Sequence, residues 1–413
     1  MTLRQIIDRT GRRKPLWLQA TLGLLAVMGL WGCSDDEGAP SVKGERMSIV
    51  VQQCVTGFDD HIATRGWAPP SPYVLYTSIY GTNGMFANQK NLVNKSIDAF
   101  FTQGNQAPQE GVFFYRNSDT SWHLDLESLT TGTYQVYGYI PKEDAESATV
   151  GYLDDSYNTG AVLTINGLNS VTPSDVCVIV GAKNDNSYDP NASNYNVSGL
   201  ATGQFGVSFT SGDNATNHIF LLFDHLYAAL RFNFKVDAVY NALRTIKLRK
   251  LELVAYADEQ GGGVRAKFKA TVTLRQNDSG ASPIDEVSYE ADETSAYVAP
   301  VPLYEWDGTT NTATDLDNEV ILNPDTPTQF MGCFVPGMNT YFKLRSTYDV
   351  FDKKENLIRQ NCQAENTIDL RELFSNDLTT MRGHCYSITM TVQPTYLYML
   401  SEPDMDNPTV RTN

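Results

Sequence analysis

The chain is poor in the residues on which most catalysis depends. Histidine occurs only five times in 413 residues, at His61, His123, His218, His225 and His384. Only His384 has a cysteine beside it, Cys385, and that pair is too little for a zinc site with several ligands at close spacing. No GxSxG, HExxH, CxxC, P-loop or GxGxxG run occurs, so no motif points to an activated serine, a zinc peptidase, a redox pair or a phosphate cradle. Basic residues are also scarce: 31 Lys and Arg against 48 Asp and Glu give a net charge of −17. A surface of that sign repels phosphate backbones, which excludes nucleic acid as a partner. Cysteine is sparse and badly spaced for a disulfide framework: beyond Cys33 there are Cys54, Cys177, Cys333, Cys362 and Cys385, an odd number. Cys54 in VVQQCV and Cys177 in VCVIV read as buried strand thiols. The expectation is a protein without enzymatic activity, cofactor or bound metal.

One long apolar run is present, and it lies at the start. Leu16 to Leu30 are mostly apolar, preceded by Arg4, Arg9, Arg12, Arg13 and Lys14 with a single acid, Asp8. A basic segment, an apolar segment of about 15 residues and a small residue before the cut describe a secretory signal; a spanning helix needs about 20 apolar residues. The closing Leu30-Trp31-Gly32-Cys33 resembles a bacterial lipobox, with Trp31 bulkier than the pattern usually carries. Only a thiol can take the thioether-linked lipid, so Cys33 is read as the lipidated N-terminus of the mature chain. Residues 1–32 are then the signal and 33–46 a tether. Ser34-Asp35-Asp36-Glu37, directly after Cys33, looks like an acidic sorting tag of surface lipoproteins. The first 32 residues hold five bases and one acid, so their loss moves the net charge from −17 to −21.

The remaining 381 of the 413 residues are long enough for two domains. Their hydrophobic period is two nearly throughout. MSIVVQQCV (47–55), SWHLDL (121–126), TYQVYGYI (133–140), LRFNFKV (230–236), KFKATVTL (267–274) and YSITMTVQ (386–393) all read as half-buried antiparallel strands. In IKLRKLEL (246–253) the parity slips at Arg249-Lys250, the mark of a bulge. EQGGGVR (259–265) reads as a tight hairpin connection, because glycine supplies positive φ freely. Only DAVYNAL (237–243) and DLRELF (369–374) read as helical. Residues 183–196 and 307–319 are loop-like in composition. The reading is an all-β chain of two domains in series, 47–218 and 219–413.

Carboxylates are plentiful without forming a site. Asp315, Asp317 and Glu319, and Asp404 with Asp406, alternate as calcium ligands do but lack the rest of a calcium loop. His225 reads as a core-edge histidine bonded to backbone. The 22 tyrosines could serve as sugar platforms, although strand packing accounts for them first.

Several stretches resemble one family. FDHLYAALRFNFKV (223–236), TYQVYGYIPKEDA (133–145), STYDVFDKKENLIRQN (346–361) and YSITMTVQPTYLYMLSEPDMDNP (386–408) are similar to strands and the closing segment of fimbrillin-like proteins, the subunits of type V pili. The resemblance implies two transthyretin-like antiparallel β-sandwich domains and a structural, adhesive role at the cell surface. It also implies export as an outer-membrane lipoprotein, then removal of the first strand by an Arg-directed protease, and partnership with other pilus subunits by β-strand addition. Cleavage after Arg65 would free the strand at 47–55, whereas cleavage after Arg46 would leave it in place. The donor strand is expected within residues 386–400, interrupted by Pro394. Host or bacterial surface ligands are further expected partners. The alternative function is a surface glycan-binding lipoprotein.

Overall fold

Alternating apolar and polar side chains dictate extended strands, and a computed structural model of the chain shows where each strand pairs. It describes residues 42–43, 47–54, 73–78, 95–116, 121–125, 129–184, 203–210, 218–277, 282–313, 318–337, 341–373 and 379–392. Met1–Lys43 form one unit, in which strand β1 covers Val42–Lys43, and Gly44–Asn413 form a second. The second unit is all-β, with two short α-helices and one turn of 3-10 helix at Lys142–Asp144 among the described residues.

Four sheets make up this unit. Sheet 1 has the order β3 (Tyr73–Ser78), β13 (His218–His225), β11 (Cys177–Asn184), β7 (Gly132–Ile140), β4 (Ser96–Thr102), β5 (Gln109–Arg116), β6 (Ser121–Asp125), with β12 (Gly206–Phe209) also paired to β7. Sheet 2 runs β17 (Ile284–Ala291), β16 (Lys267–Arg275), β9 (Gly160–Asn169), β8 (Ser147–Tyr152). Sheet 3 runs β10 (Val171–Thr172), β19 (Thr328–Phe334), β14 (Ala228–Val236), β22 (Cys385–Val392), β2 (Met47–Cys54). Sheet 4 contains β21 (Leu357–Asp369), β20 (Tyr341–Asp352), β15 (Arg244–Tyr256) and β18 (Val301–Glu305).

Sheets 3 and 4 meet through aromatic side chains: Tyr304 lies on Phe330 at 5.8 Å and Phe334 on Phe342 at 5.0 Å between ring centroids. The Tyr137 hydroxyl, on sheet 1, donates at 2.6 Å to the carbonyl of Tyr157 in the connection between β8 and β9 of sheet 2. The expected boundary between residues 218 and 219 falls at the first residue of β13. Strands from both sides of that point share sheets 2 and 3.

The period-two reading is met in β14 and β16, whose buried and half-exposed residues alternate. It fails in β7 and β22, where polar-face residues such as Ser387 and Thr391 are buried as well. The expected slip in β15 is present: its register against β20 jumps between Leu248 and Lys250, leaving Arg249 as the extra residue. The glycine run needs correction. A local turn does form, with the Ala257 N–H bonded to the Gly262 carbonyl and Gly261 at φ 86°. The strands on either side do not pair, because β15 joins sheet 4 and β16 crosses to sheet 2. A further departure is that β22 lies parallel, not antiparallel, to β14. Both helical readings hold, as α1 (Ala238–Leu243) and α2 (Leu370–Leu373). Asp237 caps α1 by accepting from the Tyr240 N–H at 3.0 Å, which satisfies a donor that has no partner within the helix.

Candidate functional site: an edge strand and a buried histidine cluster

Cys33, Arg46 and Arg65 lie outside the described residues, as do Asp315, Asp317, Asp404 and Asp406. The strand that Arg65 would release does not. β2 pairs antiparallel with β22 from Met47↔Val392 to Cys54↔Cys385 and forms the end of sheet 3. β22 therefore lies between β14 and β2, and of its eight residues only Thr389 is not buried. Loss of β2 would leave one side of β22 with unpaired N–H and C=O groups, the template that an added strand needs. The expected donor segment is described only in part: residues 386–392 form an interior strand of sheet 3, between β14 and β2, while 393–400 lie outside the described residues.

The second cluster arises from register. β11 and β13 are antiparallel with Cys177 directly opposite His225. The extended backbone before β11 carries Asp175, two residues ahead of Cys177 and so on the same face. The His225 Nδ1 lies 2.6 Å from Asp175 Oδ2, and the Cys177 thiol donates to the same oxygen at 3.2 Å. Cys177 Sγ and His225 Nδ1 are 3.7 Å apart. The His225 side chain is fully buried and that of Asp175 is 3% exposed. The other carboxylate oxygen, Asp175 Oδ1, is buried with no hydrogen-bond partner among the described residues. Through Nδ1 the His225 ring meets a carboxylate, and the His225 backbone N–H donates to Asp224 Oδ1 at 2.8 Å.

A cysteine, a histidine and an aspartate in contact are also the parts of a nucleophilic site. This arrangement does not suit that use. Burial pushes the Cys177 thiol well up from its ordinary value, and the nearby Asp175 charge adds to the effect. The thiol thus holds its proton at neutral pH, and its main partner is the carboxylate, not the imidazole. Cys333, on the neighbouring β19, is likewise fully buried and pushed up, first by burial and then by Asp175. Sequence reading found Cys177 and His225 separately but passed over Asp175. The available signal was the Asp-x-Cys spacing at the mouth of a strand.

The remaining candidates have structural employment. Glu319, one of the alternating acids, accepts from Lys247 at 2.8 Å and Arg249 at 2.7 Å. Tyr134, Tyr137, Tyr139, Tyr227, Tyr304 and Tyr386 are buried in the core. The exposed Tyr152 donates to the Asn105 carbonyl, and the exposed Tyr297 lies under the Arg265 guanidinium at 4.9 Å.

No family model and no curated protein matches the chain. Among solved structures it is similar to a candidate cell adhesion protein from Bacteroides uniformis, at 9% identity and a TM-score of 0.31, covering 79% of this chain and 94% of that one. A fimbrial protein from Bacteroides vulgatus matches at 13% identity and 0.30, with 78% and 97% covered. The fimbrial anchor protein Mfa2 from Porphyromonas gingivalis matches at 9% identity and 0.24, with 78% and 90% covered. Likeness at these values assigns neither family nor activity.

Proposed function

We propose that this chain is a structural, adhesive subunit of a cell-surface fimbria, exported to the outer membrane as a lipoprotein through Cys33. The observation that carries the reading is the place of β2, an edge strand that pairs through its backbone with β22 and is followed in sequence by Arg65. Sheets 1 and 2 make one sandwich and sheets 3 and 4 the other, with the chain crossing between them. Cleavage after Arg65 removes lipid, acidic tag and β2 together. β22 then presents an unpaired edge, with Ile388 and Met390 among its apolar residues, to a strand from another subunit.

The test starts from protein recovered from the cell surface and sequenced at its N-terminus. The processed form begins at Gly66; a surface population that all begins at lipidated Cys33 removes strand exchange from the proposal. The purified full chain, cut with an Arg-specific protease, should then bind a synthetic peptide of residues 47–55, and Arg65→Ala should abolish that binding. Equal binding by the Arg65→Ala chain would show that β2 was not what covered the site.

A further inference from the structure

We infer that Asp175, Cys177 and His225 bind one zinc-class divalent cation between β11 and β13. Oδ2, Sγ and Nδ1 form a triangle with sides of 2.6, 3.2 and 3.7 Å. Such a triangle has a circumradius of about 1.9 Å, just below the ~2.0–2.3 Å at which zinc holds oxygen, nitrogen and sulfur. A cation standing slightly off the plane of the three atoms therefore reaches all of them without rearrangement of either strand. The donor set, one thiolate, one imidazole and one carboxylate, suits zinc and its close relatives better than magnesium or calcium, which prefer all-oxygen shells.

A second observation points the same way. Both donors in the cluster crowd onto Oδ2, while Oδ1 is buried without a hydrogen-bond partner among the described residues. A desolvated carboxylate oxygen without a partner is costly. A cation at this point can be met by both oxygens, which removes that cost. On binding, Cys177 releases its thiol proton to solvent, and the imidazole coordinates through Nδ1 with its hydrogen on Nε2. Thiolate and carboxylate then neutralise the two positive charges, so no net charge is buried.

A shallow cleft of about 420 Å³ is lined by Tyr289, Met381 and Arg382 among others. Two of these reach the backbone beside the cluster: the Tyr289 hydroxyl donates to the Leu226 carbonyl, and Arg382 donates to the His225 carbonyl at 3.1 Å. The cation would tie β11 to β13 at the point where β13 hands the chain on to sheet 3. None of this depends on the fimbrial reading.

The test uses the purified full-length chain in detergent with cobalt(II) as the probe. Wild type is expected to take up about one cobalt per chain, with a thiolate-to-cobalt band in the near ultraviolet that zinc bleaches by displacement. Cys177→Ser should lose the band, and Asp175→Asn should weaken cobalt binding at least tenfold. Cys362→Ser, which alters a buried thiol on β21 outside the cluster, should behave as wild type. Far-ultraviolet circular dichroism checks that each variant is folded. The inference is overturned by a wild-type chain with no thiolate band, or by a folded Cys177→Ser chain that keeps it. Should Cys177→Ser fail to fold, Asp175→Asn, which keeps volume and shape, decides by its affinity alone.

Discussion

Arg249 and Asp349 show how single side chains hold irregular backbone in place. The slip at Arg249 was legible, because one misplaced pair of polar residues in IKLRKLEL breaks the parity of a strand. Its partner was not, since Asp349 is a hundred residues away. In the fold the Arg249 Nε donates to Asp349 Oδ2 at 2.7 Å, and the other carboxylate oxygen accepts from the Asn361 N–H at 2.7 Å. Asn361 has φ 56° and lies where the β20–β21 register slips, between Tyr348 and Val350. One carboxylate, only 4% exposed, thus anchors an irregularity on each side of β20. Asp349→Ala would leave a guanidinium without one of its two carboxylates and a backbone N–H without an acceptor. The expected loss is about 3 kcal/mol, read as a lower urea midpoint at unchanged slope. A loss below about 1 kcal/mol would mean that Glu319, also bound to Arg249, holds the bulge without help.

Strand character was legible wherever one face of a sheet is covered, as in LRFNFKV and KFKATVTL. It was misread where both faces are covered, because burial of Ser387 and Thr391 is imposed by neighbouring strands and loops that local alternation cannot report. β7 is the clearest case. It sits between β4, β11 and β12, and almost all of its second half is buried. Gly138 lies opposite Ala99 in this pairing, and a Cβ placed on it would come within 2.1 Å of the Asp98 carbonyl oxygen. The glycine is therefore a requirement of close backbone approach. Gly138→Ala should cost the upper part of the ~1–3 kcal/mol typical of overpacking, or more if β4 separates from β7. Gly151→Ala on β8 is the control, because its added methyl meets nothing nearer than 4.0 Å. Thermal melts of the two variants should differ clearly. Equal melting temperatures would show that β4 can shift to make room.

At the scale of the whole molecule, all-β class was readable, but strand sharing was not. The glycine run at 259–265 makes a good local turn in either of two topologies, and only the tertiary pairing of β16 with β9 decides between them. The histidine cluster was hidden for a similar reason: Asp175 and His225 meet through register, which no local pattern states. Net charge, by contrast, is known fully from sequence and has a consequence for assembly. Residues 33–65 contain six acids and three bases, so a chain cut after Arg65 changes from −21 to −18 and stays strongly acidic. Two such subunits repel at long range, while the contact proposed for them is apolar and formed by backbone hydrogen bonds. Raising the salt from about 0.01 M to about 0.1 M shortens the Debye length from ~30 Å to ~10 Å. The repulsion is then screened before the strands meet, and the contact itself is little affected. Self-association of the cut chain should therefore speed up with salt, by roughly tenfold over that range, as followed by light scattering at fixed protein concentration. A rate that falls with salt would place complementary charged patches at the interface and make them, instead of the unpaired edge of β22, the main determinant of encounter.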